Sequence, residues 1–170
     1  ARKDSVYEIG SITKQFTATL VMMLVEEGKV SLDAPIRAYL PDAPEAWTDV
    51  TVRHLLTHTS GIKTYTELDG FQVREKLDQK RFIERLAGHP LDFPPGTKNK
   101  YNNSGYNLLG FIVANVSGKD YWEVLRERIL TPLGMKATRT RDLPAVIPNR
   151  VSGYLWEKDH WVNHDSDLTD

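Results

Sequence analysis

The chain has 170 residues, 40% of them apolar and 26% charged, with 22 Lys plus Arg set against 23 Asp plus Glu and no cysteine. A single chain of this size removes roughly 70% of its unfolded surface from water, enough for one core, and this charge content excludes a membrane-spanning class. Balanced charge gives no field that would draw nucleic acid or an anionic bilayer, and without cysteine there is no disulfide, thiolate nucleophile or Cys-based zinc site.

Ala1-Arg2-Lys3-Asp4 is followed by no apolar h-region, so any signal peptide is expected to have been removed or never included. Ser5 to Ile9 suit a short extended segment, and Gly10 permits a sharp turn. A helix is expected from Ser11, a good N-cap type, to Glu27, with Gly28 just beyond its end. Leu20 to Val25 are apolar on every face, which predicts a central helix surrounded by protein. Residues 28–50, with Pro35, Pro41 and Pro44, read as a wrapping connection anchored by Leu32, Ile36 and Leu40.

Thr51 can cap a short helix from Val52 to Thr57, and a further helix is expected from about Asp78 to Ala87 with Phe82, Ile83 and Leu86 on one face. From Ser104 the residues Leu108, Leu109, Ile112, Val113 and Val116 recur at helical spacing until Gly118. A last helix runs from about Asp120 to Leu130 and is stopped by Pro132 and Gly134. Beyond Thr138 only an extended segment around Tyr154 to Trp156 is expected.

Ser11 and Lys14 form S-x-x-K at a helix start, about 60° apart around the axis and about 4.5 Å along it, so they can share a hydrogen bond. A serine hydroxyl is a poor nucleophile until a base takes its proton, and a neutral lysine is one recognised base. Backbone N–H groups at the helix start would stabilise an oxyanion. The bland alternative is an N-cap serine beside a solvated lysine. A lysine at its reference pKa costs about 4.6 kcal/mol to neutralise at pH 7, more than a helix dipole supplies, so a partner from elsewhere is needed. Tyr101, in the turn Tyr101-Asn102-Asn103, is the leading candidate, although taken alone the run reads as a turn tyrosine with an asparagine cap. Ser60 and Lys63 repeat the S-x-x-K spacing, but Gly61 and Thr64-Tyr65-Thr66 disfavour the helical turn that would join them.

Ile9-Gly10-Ser11-Ile12-Thr13-Lys14, Val52 to Ile62, Pro94-Pro95-Gly96-Thr97 with Tyr101 to Gly110, and Pro132-Leu133-Gly134-Met135 follow one another in this order. Together they resemble the penicillin-binding proteins, class C β-lactamases, D-alanyl-D-alanine carboxypeptidases and β-lactamase-like esterases. The resemblance implies an α+β, β-lactamase/transpeptidase-like fold, of which this chain is mostly the helical subdomain plus the nucleophile helix. It implies Ser11 as nucleophile, Lys14 and Tyr101 as the proton-transfer pair and Asn103 as a substrate-amide binder. The family's third signature, Lys-Thr-Gly or His-x-Gly, has no match downstream of Tyr101, so residues 1–170 are expected to be a partial domain whose N-terminal strands and C-terminal sheet are missing.

The function so implied is a serine hydrolase acting through an acyl-enzyme on a β-lactam, a D-alanyl peptide or a small ester, in a periplasmic or extracellular setting, with the cytoplasm still open. The alternative is a non-catalytic fragment or homologue that binds peptide or a partner chain. No cofactor or metal is implied: His54 and His58 have i,i+4 spacing, but Leu55 stands where a zinc protease needs its glutamate. His160 and His164 read as solvated, and Trp122, Trp156 and Trp161 as packing residues. Expected partners are a small-molecule or peptide substrate and, for the uncovered helix face, the missing portion of the fold or a second copy.

Overall fold

The computed structural model describes residues 2–70, 78–140 and 145–163, so His164 lies outside the described residues. A 3₁₀ turn, Gly10–Ile12, leads into α1 (Thr13–Glu26), and 3₁₀ turns at Ile36–Ala38 and Glu45–Trp47 precede α2 (Val52–Leu56). After a further 3₁₀ turn at Tyr65–Glu67 come α3 (Gln79–Ala87), α4 (Asn103–Ser117) and α5 (Tyr121–Leu125), which widens into a π-type turn, Arg126–Leu130. The antiparallel hairpin β1 (Tyr154–Glu157) and β2 (His160–Asn163) is the only sheet among the described residues.

The hub is α4. Leu108, Leu109, Ile112 and Val113 make one stripe at helical spacing, all fully buried, and α1, α2 and α5 pack around the helix. Asn102 begins it by accepting the Gly105 N–H at Oδ1 (2.7 Å), and Gly118, left-handed at φ 65°, ends it. Against this stripe α1 lays Thr17, Leu20, Val21 and Leu24, and the Thr17 hydroxyl meets the Tyr121 phenol at 2.7 Å, tying α1 to the start of α5.

The short helices are fixed by their caps. Thr51 and His54 form a reciprocal capping box at α2, where the Thr51 hydroxyl accepts the His54 N–H and His54 Nδ1 accepts the Thr51 N–H. Asp78 caps α3, which buries Phe82, Ile83 and Leu86 as its sequence predicts. The wrapping connection closes over the core with Ile36, Leu40 and Trp47 wholly buried.

Four expectations need correction. Ser11 does not cap α1: it lies inside the 3₁₀ turn, with Gly10 at φ 50° turning the chain just before it, and its side chain is engaged elsewhere. Leu20 to Val25 are not enclosed on every side, because Met22 is 43% exposed while Met23 and Val25 are only partly buried. The helix after Asp120 loses α geometry at Arg126, ahead of Pro132, whose ring and missing N–H end the regular pattern. Trp156 and Trp161 are not packed but exposed, edge to face with each other across the hairpin (5.2 Å). The partner strand β2 follows a two-residue turn in which Lys158 and Asp159 both have positive φ, the type I′ geometry usually signalled by Asn-Gly.

No described helix is long and apolar enough to cross a membrane. Because Asn102 serves α4 as a cap and is itself buried, Asn102→Ala is expected to lower stability by about 1–3 kcal/mol. Urea unfolding followed by circular dichroism measures it, and a loss under about 0.5 kcal/mol would remove Asn102 from this role.

Candidate active site

Gly10 turns the chain so that Ser11 enters the helical spiral one turn ahead of Lys14. The Lys14 ammonium therefore reaches the Ser11 hydroxyl, Nζ to Oγ 3.2 Å, and it also donates to Asn103 Oδ1 at 2.8 Å. Ninety positions along the chain, the Tyr101 phenol comes to 2.5 Å from Ser11 Oγ. Lys14 Nζ lies 4.7 Å from the centre of the Tyr101 ring and 5.6 Å from that of Tyr106. The four residues singled out by sequence thus meet in one hydrogen-bonded group. Ser11 and Tyr101 are exposed, and Lys14 and Asn103 partly buried, so the group opens to solvent.

Two segments hold this geometry. Residues 57–64 run beside residues 92–103: Gly61 O accepts from Asp92 N–H (2.7 Å), Thr59 O from Gly96 N–H (2.8 Å) and His58 O from Lys100 N–H (2.9 Å). Asn102 Nδ2 donates to Ile62 O (2.5 Å), and Thr64 Oγ1 accepts the Asn103 N–H (3.1 Å). Gly61 is needed there: its φ is 74°, and a Cβ would stand 2.0 Å from the Phe93 carbonyl oxygen.

Burial opposes ionisation of the Tyr101 phenol, but hydrogen bonding to Lys14 and Ser11 and the Lys14 charge outweigh it and hold its pKa below the usual tyrosine value. Tyr65 and Tyr106 go the other way, since burial raises both. Of the three phenols around the site, Tyr101 is the one whose surroundings favour the phenolate.

Ser60 is kept apart from this group. It is buried, its Oγ accepts the Ile62 N–H (3.3 Å), and Lys63 pairs with Asp92 instead. His54 and His58 spend Nδ1 on the backbone N–H groups of Thr51 and Asn102. Sequence reasoning missed His58, Thr64 and Asn102 as supports of the site. The signal that His58 belongs here, rather than to a metal site with His54, is its place just before the Ser60-Gly61 turn, which runs beside the Tyr101 loop.

A family model described as Beta-lactamase matches residues 1–168. The chain is 41% identical over 142 residues to penicillin-binding protein 4 of Amycolatopsis lactamdurans, covering 81% of this chain and 36% of that protein. It is 33% identical over 152 residues to the esterase EstB of Burkholderia gladioli, covering 79% of this chain and 38% of the esterase. The crystal structure of a D-stereospecific amidohydrolase from Streptomyces matches with a TM-score of 0.79 and 30% identity, over 96% of this chain and 53% of that one. The chain therefore spans between about a third and a half of the length of these relatives, and corresponds to the largely helical part of a β-lactamase/transpeptidase-like fold. With a family-wide match, and with an esterase and an amidohydrolase among its relatives, this chain belongs to the serine β-lactamase-like family, whose members are hydrolases.

Proposed function

We propose that this chain carries the nucleophile and proton-transfer groups of a serine hydrolase that works through an acyl-enzyme. The observation behind this is that the Ser11 hydroxyl lies within hydrogen-bond reach of both Tyr101 and Lys14. Ser11 Oγ attacks the substrate carbonyl carbon while its proton passes to Tyr101, whose phenolate the Lys14 charge favours. The same proton then goes to the leaving nitrogen or oxygen as its bond to the carbonyl carbon breaks. Water attacks the acyl-serine, gives up a proton to Tyr101 and releases the acid, and Ser11 regains its hydrogen. Asn103, anchored to Lys14 through Oδ1, presents its Nδ2 to a substrate carbonyl. The substrate class is a β-lactam, a D-alanyl peptide or a small ester, each of which submits to the same attack.

Residues 1–170 are in this reading one portion of a larger β-lactamase-like domain, with further sheet covering the open side of α1. Support comes from the exposed Met22 and from the share of the relatives' length that the chain spans. The Ser11 N–H at the helix start then supplies one oxyanion donor, and a strand outside these residues the second.

Three outcomes are expected. Incubation with a fluorophosphonate or a reactive penicillin should give an adduct that peptide mapping locates on Ser11 and that Ser11→Ala abolishes, whereas label on Ser60 would overturn the assignment.

Lys14→Ala and Tyr101→Phe should each slow acylation by about 10²–10⁴, and the double variant should be little slower than either, because a unit is lost only once. The wild-type rate should rise as pH climbs through an ionisation below the ordinary tyrosine value of about 10, since the lowered pKa makes phenolate available there, and Tyr101→Phe should lose that rise. Multiplicative losses would mean independent roles.

The 170-residue chain by itself should turn over a chromogenic ester or β-lactam at least about 10²-fold below ordinary enzyme rates, for want of the second oxyanion donor. Ordinary turnover by a monomer of this chain would show that the site is complete without further protein.

A further inference from the structure

His58 stands outside the four residues of the candidate site, yet its contacts converge on one of them. Its backbone is left-handed, at φ 58°, a conformation that residues with a Cβ seldom hold. Its carbonyl accepts the Lys100 N–H at 2.9 Å while its ring accepts the Asn102 N–H at Nδ1, 3.1 Å. Lys100 and Asn102 flank Tyr101 on either side. The imidazole itself lies against the Tyr101 ring, with centroids 4.8 Å apart, and against Tyr106 at 5.1 Å. One residue therefore holds both peptide neighbours of Tyr101 and one face of its ring.

We propose that His58 is a positioning residue for acylation: as the neutral ring with its hydrogen on Nε2, it aims the Tyr101 hydroxyl at Ser11, and protonation releases that aim. The proposal rests on the reading of Ser11 as nucleophile and Tyr101 as its proton acceptor.

A ring nitrogen that accepts a hydrogen bond has no proton of its own, so the Asn102 contact requires the Nε2–H tautomer. An imidazolium would turn the Nδ1 lone pair into an N–H facing another N–H. The groups facing the ring are the Lys14 ammonium from α1, the Tyr101 phenol from the 92–103 segment, the Tyr106 phenol from α4 and the uncharged Asn102. Burial first, and the Lys14 charge second, push His58 below the ordinary histidine value. The sign follows: the ring is neutral at pH 7, and the aim is kept until pH falls through that lowered value, under about 6.5.

Two substitutions separate the roles of ring, acceptor and charge. His58→Asn keeps an acceptor, Oδ1, at the position of Nδ1 and tolerates positive φ, but does not titrate. His58→Ala removes acceptor and ring together. The first measurement needs no activity: NMR signals of the Asn102 amide and the Tyr101 ring are followed from about pH 4 to pH 8, the range in which histidine titrates. Both should shift with the same midpoint as the His58 ring, and the shift should vanish in His58→Asn.

The second measurement is the rate of Ser11 labelling by a fluorophosphonate, with kcat and KM for a chromogenic ester. His58→Ala should lower acylation and kcat by about 10²-fold with KM nearly unchanged, as expected for misplacing a reacting group by an ångström. His58→Asn should recover to within about tenfold of wild type and lose the part of the acid limb that titrates with His58, keeping the rise that belongs to Tyr101. Tyr101 signals indifferent to His58 ionisation, or an acid limb unchanged in His58→Asn, would overturn the inference. A wild-type protein whose Tyr101 follows His58 but whose Ser11 takes no label would uphold the positioning and refute the serine-hydrolase reading.

Discussion

The carboxamide of Asn102 is the joint on which the arrangement turns. One end starts α4 by accepting the Gly105 N–H, and the other holds the Ile62 carbonyl. Both bonds are buried, where an amide left without partners costs far more than a satisfied one contributes. The joint therefore ties the fold's central helix to the 57–64 segment at a single residue. Asn103, the next residue, is delivered in the first turn of α4 facing Lys14, and Tyr101, the residue before, is delivered facing Ser11. The spacing of the Tyr-Asn-Asn run acquires a physical meaning: the middle residue is structural and its two neighbours point to the same hydroxyl–ammonium pair.

Outside this joint lies a ring of charge. Lys63 and Lys100 both reach Asp92, and Lys100 also meets Glu67, so that residues 63 and 67 are cross-linked to residues 92 and 100. Hydrogen bonding from Lys63, more than any other contact, holds the Asp92 carboxyl below the usual carboxylate range. Its contribution is present above that ordinary range and fades as acid lowers the pH through the depressed value. Such partly exposed pairs are individually modest, and their use here is registration of two loops rather than gross stability.

Most of the helical frame was legible in the sequence because it obeys local rules. The stripe on α4, the Thr51 cap, the apolar face of α3 and the glycines after α1 and α4 each state their position through spacing or residue type. The S-x-x-K pair was legible for the same reason, as a contact within one turn. What the residues alone could not give was the meeting of Ser11 with Tyr101, since no local pattern encodes a contact across ninety residues; only the motif resemblance pointed there. Hairpin strand β2 escaped because Lys158-Asp159 adopts a turn that its side chains do not advertise. The role of His58 escaped because a left-handed histidine has no signature in composition or periodicity.

Geometry and environment separate at this site. The distances among Ser11, Tyr101 and Lys14 are those a proton transfer needs, yet Tyr101 is half exposed and Ser11 faces water. Oriented donors and charges act most strongly where water is excluded, because a high dielectric screens them and solvent must reorganise as charge develops. Beside the Gly10–Ile12 turn, the chain leaves a cavity of about 630 Å³ lined in part by Ile9, Ile12, Phe16, Leu125 and Met135, an apolar hollow next to the group rather than a roof above it. The walls of that hollow come from the N-terminal segment 3–10, the start of α1, α5 and the chain after it, and Ile9, Ile12 and Trp122 on them are exposed. Under the proposed function, one act of covering would both bury those residues and dry the ground around Ser11. The apolar face of α1 and the polarity of the candidate site are thus two expressions of a single unmet requirement for enclosure.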